Sequence, residues 1–183
     1  MEGEKAACGV AHADNAAPAL LGGFVLIRSY DPLDVIPLPS PLGLHYAVVL
    51  PEIELKTEDS RKILRKEVRL QDAVVQWGNI AGLITGILQN NLELLGRSMN
   101  DVLIEPERAL LIPGFTQVKL AALSAGALGC SLAGSGPSLF ALCSSRGNAQ
   151  NVADAMAQAF ASLGIKTQAY ADIINTHGPE ILD

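Results

Sequence analysis

Aromatic residues make up only 4% of the 183 positions, too few to build the stacking platforms that bind bases or sugars. Cysteine is scarce too. Cys8, Cys130 and Cys143 form an odd, widely spaced set with no C-x-x-C, which excludes a disulfide framework and a zinc knuckle and leaves three reduced, buried, small hydrophobes. Positive charge is also short. Lys and Arg total 13 against 19 Asp and Glu, for a net charge of −6, and basic residues gather only between Arg61 and Arg69. The electrostatic term behind non-specific nucleic-acid binding is therefore missing. No apolar run approaches the ~18 residues that span a bilayer, and Met1-Glu2-Gly3-Glu4-Lys5 lacks the apolar core of a secretory signal. The chain reads as soluble and cytoplasmic, with neither nucleic acid nor membrane as a partner. Three motifs are absent as well: the Walker A loop, the G-x-G-x-x-G of a dinucleotide fold and the G-x-S-x-G of acyl-enzyme chemistry.

What the sequence does hold is a core. With 49% hydrophobic and 17% charged residues, it lies far from the composition of a disordered chain. A helix is expected over Glu2 to Ala7, and Phe24 to Ile27, after Gly22-Gly23, reads as a strand. Asp31 to Pro41 contains four of the ten prolines and reads as a rigid connection between two parts. His45 to Leu50 is a strand stopped by Pro51. From Leu70 to Gln89 the pattern turns helical: Leu70, Val74, Trp77, Ala81, Ile84 and Leu88 alternate spacings of four and three, which places them on one face. Shorter helices are expected over Leu92 to Leu103 and over Phe115 to Ala125, the latter opened by Pro113-Gly114. Strands over Cys130 to Ala133 and Leu139 to Cys143 follow. The last helix presents Ala149, Val152, Ala153, Met156, Phe160 and Leu163, with Gly164 as its C-cap, and Thr167 to Ile173 is the final strand. Strand, helices, strand, strand, helix, strand is the split βαβ, or ferredoxin-like, order with an inserted helical segment.

Four constellations could carry chemistry, and each has a plain structural reading beside the functional one. Glu4 and His12-Ala13-Asp14-Asn15 offer an oxygen ligand for Mg²⁺ and polar groups for a small substrate, or a solvated Glu and an Asp-Asn turn. Thr57 and Arg61 sit four apart, so a hydroxyl and a guanidinium share one helical face; alternatively they are an N-cap and a surface arginine. Glu105-Pro106-Glu107-Arg108 places a second arginine on a Pro-initiated turn, either around an anion or as a solvated charge. Ala133-Gly134-Ser135-Gly136-Pro137-Ser138 is a Gly-x-Gly loop between two strands, suited to an anion or to a hairpin turn. His45 and His177 stand apart from these clusters and read as structural or exposed.

Taken in order, these segments resemble the C-terminal part of the homoserine kinase family, within the GHMP small-molecule kinases. The resemblance covers essentially the whole chain and rests on Glu4, His12-x-Asp14-Asn15 with Gly22-Gly23 after it, Thr57-x-x-x-Arg61, Glu105-Pro106-x-Arg108 leading into Ile112-Pro113-Gly114-Phe115, and Gly134-Ser135-Gly136-Pro137-Ser138. It implies an α+β fold: residues 42–183 as the ferredoxin-like C-terminal GHMP domain with inserted helices, and residues 1–41 as linker and tail of an N-terminal, ribosomal-protein-S5-like, ATP-binding domain. It also implies a kinase that uses ATP and Mg²⁺ to phosphorylate the side-chain hydroxyl of L-homoserine on the route to threonine, and a homodimer when intact. By the same resemblance Glu4 is the metal ligand, and His12 and Asp14 hold the substrate ammonium. Asn15 lies beside the attacking hydroxyl, where several relatives carry an aspartate able to act as base. Arg61, Arg108 and Thr57 take the carboxylate, and Gly134 and Ser135 close the pocket.

The sequence departs from that pattern twice. The P-x-x-x-G-L-G-S-S phosphate loop that cradles ATP at a helix N-terminus is not among these residues, so the chain is expected to be truncated and not to turn over ATP by itself. Ala133 stands where a hydroxyl residue is common. Two other functions fit parts of the pattern: a non-catalytic amino-acid- or partner-binding ferredoxin-like module, and a GHMP kinase for another small alcohol. Paired arginines weigh against an isoprenoid alcohol, whose apolar body needs no two guanidinium groups.

Overall fold

The structure, a computed structural model, describes residues 13–55 and 57–180, without the side chains of Thr57 and Glu58. The helix expected over Glu2 to Ala7, with Glu4, Cys8 and His12, lies outside the described residues. Two compact units are present: residues 13–40 with 174–180, and Pro41–Ile173. The sequence expectation placed 174–183 with the second part, whereas 174–180 belong to the first.

The first unit is built from α1 (Ala16–Leu21), β1 (Phe24–Tyr30) and β2 (Leu33–Leu38), the two strands pairing antiparallel from Phe24↔Leu38 to Tyr30↔Leu33. Here the proline-rich stretch departs from its reading as a linker. Asp31-Pro32 is the turn of a hairpin, and Pro37 pairs with Val25 inside β2. A two-stranded ribbon leaves half the N–H groups of each strand pointing away from the partner, where proline sacrifices no ladder bond. Gly22 and Gly23 have positive φ, and a Cβ on Gly22 would lie 2.5 Å from the His177 backbone N. The glycine pair thus lets residues 176–177 lie against the end of α1, and the Gly23 N–H donates to Asn175 O at 2.7 Å. His177 itself is exposed.

The second unit contains β3 (His45–Pro51), α2 (Thr57–Lys62), α3 (Leu70–Leu88), α4 (Leu92–Ser98), α5 (Glu105–Arg108), a 3-10 turn (Ala109–Leu111), α6 (Phe115–Ser124), β4 (Gly129–Leu132), β5 (Leu139–Cys143), α7 (Arg146–Ala161) and β6 (Thr167–Ile173). The sheet runs β4-β5-β3-β6, every neighbour antiparallel. That is the ferredoxin-like strand order expected from the sequence. Alternate residues of the strands point to one face, where Ala47, Val49, Leu139, Ala141, Cys143 and Cys130 pack against Val118 and Ala122 of α6 and Ala149, Val152, Met156 and Phe160 of α7. Leu163, expected on the same helical face, is 44% exposed, because α7 ends at Ala161 and Leu163 lies in the turn beyond it.

Two helices differ from expectation for identifiable reasons. α4 ends at Ser98 rather than continuing to Leu103, since the Asp101 carboxylate accepts the N–H groups of Leu103 and Ile104 at 2.8 and 2.9 Å and of Glu105 at 3.1 Å, starting a new helix instead. α3 forms where the periodicity placed it, but its apolar stripe faces outward. Ala73, Gly86 and Ile87 are its buried residues, whereas Leu70, Val74, Trp77 and Leu88 are exposed. The inner face of α3 is held by small and polar groups: Gln76 accepts from the Val102 N–H at 3.0 Å and Asn79 Nδ2 donates to Asn100 O at 2.6 Å. Glycines set the spacing. A Cβ on Gly86 would stand 2.7 Å from Leu95 N, and one on Gly96 would stand 2.2 Å from Leu128 O, so α4 sits flush against α3 on one side and the segment entering β4 on the other.

Two outcomes follow from this packing. Gly96→Ala, which drives a methyl into backbone, is expected to lower the unfolding free energy by about 2 kcal/mol in urea titration, whereas Gly147→Ala, with open space around it, should shift it by less than ~1 kcal/mol. Burial pushes the Cys130 thiol up to about 12 and the Cys143 thiol up to about 11, because a low-dielectric surrounding disfavours the thiolate. At pH 8 iodoacetamide should therefore leave both unmodified in the folded chain and alkylate both in urea, as read by peptide mass mapping.

Candidate functional site

A four-residue helix has no stability of its own, so α5 exists because its surroundings impose it. Its N-terminus is capped by Asp101, as above, and Pro106 sits in its first turn. Glu105 is 7% exposed. One carboxylate oxygen takes the Lys119 ammonium of α6, and the other accepts the Ser131 hydroxyl of β4 at 2.6 Å. Lys119 Nζ also lies 5.9 Å from the Phe115 ring centroid. A buried carboxylate is tolerated only when its charge is matched and its lone pairs are filled; here both conditions hold. Glu105 thereby ties α5 to α6 and to the sheet.

The far end of α5 carries Arg108. Its Nη1 donates to Gly134 O at 2.8 Å, and its Nε points to Ser60 O at 3.4 Å. Three of the segments singled out in the sequence therefore meet: the Thr57–Arg61 helix through Ser60, the Glu105–Arg108 turn, and the glycine loop. Ser60 is fully buried, and its hydroxyl has no partner among the described residues. Arg65 pairs with Glu107 at 2.6 Å, a further link between the segment after α2 and α5. Both Arg108 bonds end on neutral carbonyls, so neither cancels its charge. A guanidinium anchored in this way keeps a cationic fork suited to a carboxylate or phosphate.

The glycine loop is the hairpin connection between β4 and β5, closed by Ala133 N–H donating to Ser138 O at 2.9 Å. Gly134 has φ +56 and open space where a side chain would project, and Gly136 has φ +83 with Ile112 Cδ1 3.0 Å from its missing Cβ. Both positions lie in the left-handed region that glycine enters without penalty. The structure thus supports the hairpin reading and sets the loop's carbonyl on the arginine. Ser135 is half-buried in the loop, and Arg61 lies exposed on the last turn of α2. Thr57 begins α2.

Asp14 and Asn15 belong to the other unit, exposed in the turn before α1. Asn15 occupies the N-cap position, yet its side chain makes no capping bond, so local capping does not account for it. Glu4 and His12 lie outside the described residues. Among the described residues, no three His, Cys, Asp or Glu side chains cluster as a metal site would require. The role of Glu105 was not visible in the sequence: its partners lie 14 and 26 positions away, so no local pattern announces them.

Glu105→Ala should lower the unfolding free energy by about 3 kcal/mol, because it strands the Lys119 charge. Ser131→Ala should cost about 1 to 2 kcal/mol. Chemical denaturation of the two variants and of the double variant would measure their coupling, and additive effects would contradict a shared node.

Comparison with known proteins sets these features in a family. Residues 83–162 match the model of the GHMP kinases C terminal domain. The chain is 56% identical over 168 residues to a homoserine kinase of Chlorobium phaeobacteroides (strain BS1), covering 92% of this chain and 52% of that protein. It is 42% identical over 156 residues to a homoserine kinase of Arabidopsis thaliana, covering 84% and 42%. The crystal structure of a homoserine kinase from Cytophaga hutchinsonii superposes with a TM-score of 0.97 at 53% identity, covering all of this chain and 58% of that one. The L. major mevalonate kinase, at 17% identity and a TM-score of 0.55, shares the fold alone. The chain spans about half the length of the curated relatives it matches. These matches show that the chain carries the C-terminal domain of the GHMP kinase family.

Proposed function

We propose that this chain supplies the acceptor-substrate side of a homoserine kinase. The observation that carries the reading is Arg108 Nη1 bonded to Gly134 O, with Ser60 O beside Nε: a charged fork fixed at the junction of three separate segments. The similarity to homoserine kinases at 51–57% identity supports it.

L-Homoserine is zwitterionic, so recognition needs cations at its carboxylate and an anion at its ammonium. Arg61 and Arg108 take the carboxylate, with Thr57 and the loop residues Gly134 and Ser135 completing that contact. His12 and Asp14 take the ammonium, Asp14 providing the charge. The substrate hydroxyl oxygen forms a bond to the γ-phosphorus of ATP as the bond to the β–γ bridging oxygen breaks; ADP leaves and the hydroxyl proton is lost, giving O-phospho-L-homoserine. Asn15 orients the hydroxyl by hydrogen bonding and has no carboxylate with which to take its proton, so these residues contribute by positioning. Glu4 is the residue suited to Mg²⁺, a hard cation that prefers carboxylate oxygen and offsets phosphate charge when bound. The 183 residues contain no glycine-rich ATP phosphate motif, so ATP recognition is not assigned to any of them. The cytoplasm, which holds ATP and keeps thiols such as Cys130 and Cys143 reduced, is the expected compartment.

The test joins this chain to the N-terminal remainder of the Cytophaga hutchinsonii enzyme and follows ADP formation. Homoserine-dependent turnover is expected. Arg108→Ala should raise KM at least about tenfold, with Arg108→Lys intermediate because it keeps the charge and loses the fork. Asn15→Ala should lower kcat by more than about tenfold, some 1.4 kcal/mol. Turnover indifferent to Arg108 would overturn the reading. Calorimetry of this chain with L-homoserine gives a second readout that does not depend on the joined protein.

A further inference from the structure

Helix α5 carries Glu105, Glu107 and Arg108 within a single turn. Glu105 and Arg108 stand three apart, a spacing at which helical side chains ordinarily pair. They do not pair here. Glu105 takes Lys119 and Ser131, and Arg108 ends on the carbonyls of Gly134 and Ser60. The second carboxylate is matched from outside as well, by Arg65 of the segment that follows α2, whose Nη2 lies 2.6 Å from Glu107 Oε1. Each carboxylate of α5 thus has its own cation, and among the described residues Arg108 keeps only neutral partners.

Burial decides what the Arg65–Glu107 pair does. The Arg65 side chain is 72% exposed and that of Glu107 only 15%. An ion pair with one partner so far in water holds two segments together weakly. The chain around Arg65 adds little order: beyond Leu64, whose N–H donates to Arg61 O at 3.3 Å, it is irregular up to α3. As a tether, then, the pair contributes little. As a neutraliser it does more, because the Glu107 carboxylate is largely shielded from water and salt. Glu107 and Arg108 are adjacent, with Cα atoms about 3.8 Å apart. Neighbours in a helix do not face each other, so Glu107 leaves the Arg108 fork open. Its negative field still reaches an anion held there, and repels it unless a cation stands beside Glu107.

We propose that Arg65 is a specificity-determining residue for the acceptor substrate: by cancelling the Glu107 charge it keeps the Arg108 fork attractive to a carboxylate. Arg65 touches no substrate in this role and acts through Glu107. The inference rests on the reading of Arg108 as the carboxylate site, and its test separates the two.

Steady-state kinetics of the joined kinase test it. Arg65→Ala should raise KM for L-homoserine at least about fivefold with kcat within about twofold, since the lost attraction falls on binding. Arg65→Gln, which keeps more of the side chain's bulk, should behave in the same way. Arg65→Lys retains the charge and should stay within about twofold of wild type. Glu107→Gln removes the charge that Arg65 cancels, and by itself should change KM by less than about twofold. Added to Arg65→Ala, it should restore most of the lost affinity, which a merely structural role of Arg65 cannot produce. For 3-aminopropan-1-ol, an acceptor without the carboxylate, Arg65→Ala should leave kcat/KM within about twofold. An unchanged homoserine KM in Arg65→Ala, equal losses on both acceptors, or a double variant no better than Arg65→Ala would overturn the proposal. If Arg108→Ala raises KM and Arg65→Ala does not, this proposal alone fails; if neither does, the reading of Arg108 fails with it.

Discussion

The arginine-bearing turn rests on one buried carboxylate. Glu105 is in contact with Lys119 from α6 and Ser131 from β4, and it begins the helix that ends in Arg108. A charge in that position would be costly without its two partners, so the requirement to satisfy it fixes where α5 can lie. α5 in turn fixes the guanidinium against Gly134 and Ser60. The chain of dependence extends further, since Gln76 and Asn79 of α3 hold the 100–102 segment whose Asp101 caps α5. A helix whose outer face is apolar thus supports the site from its polar inner face.

Much of this order was legible in the sequence, and the exceptions have physical causes. The short apolar runs His45 to Leu50, stopped by Pro51, and Leu139 to Cys143, with the helical face of Ala149 to Phe160, pointed to the ferredoxin-like sheet and its helical cover, because burial selects both kinds of pattern. The same logic misleads at Leu70 to Leu88: the periodicity shows which residues share a face, not whether that face turns inward, and here Leu70, Val74, Trp77 and Leu88 are exposed. Pro37 suggested a linker because proline opposes sheet pairing, but an isolated ribbon has outward N–H groups to spare. Leu92 to Leu103 read as one helix because the competing cap at Asp101 is a local hydrogen-bonding preference that a hydrophobic pattern does not record.

At the site, residue types and order identified the segments, and the structure shows three of them meeting at Arg108. The contact partners could not be read, because Gly134 is 26 positions from Arg108 and Ser60 is 48. Glu105 stood in the sequence as a neighbour of the arginine and emerges as its support. The division is general: exposed recognition groups leave short motifs, whereas buried polar groups that position them find partners anywhere in the chain.

The central claim is that Arg108 reads a substrate carboxylate, and a substrate-truncation cycle tests it most directly. In the joined kinase, kcat/KM would be compared for L-homoserine and for 3-aminopropan-1-ol, which lacks only the carboxylate, with Arg108 and with Arg108→Ala. Arg108→Ala should depress the homoserine value at least about tenfold and leave the aminopropanol value within about twofold, a coupling above ~1 kcal/mol. Equal losses on both substrates would show that Arg108 only maintains structure, and would contradict the account.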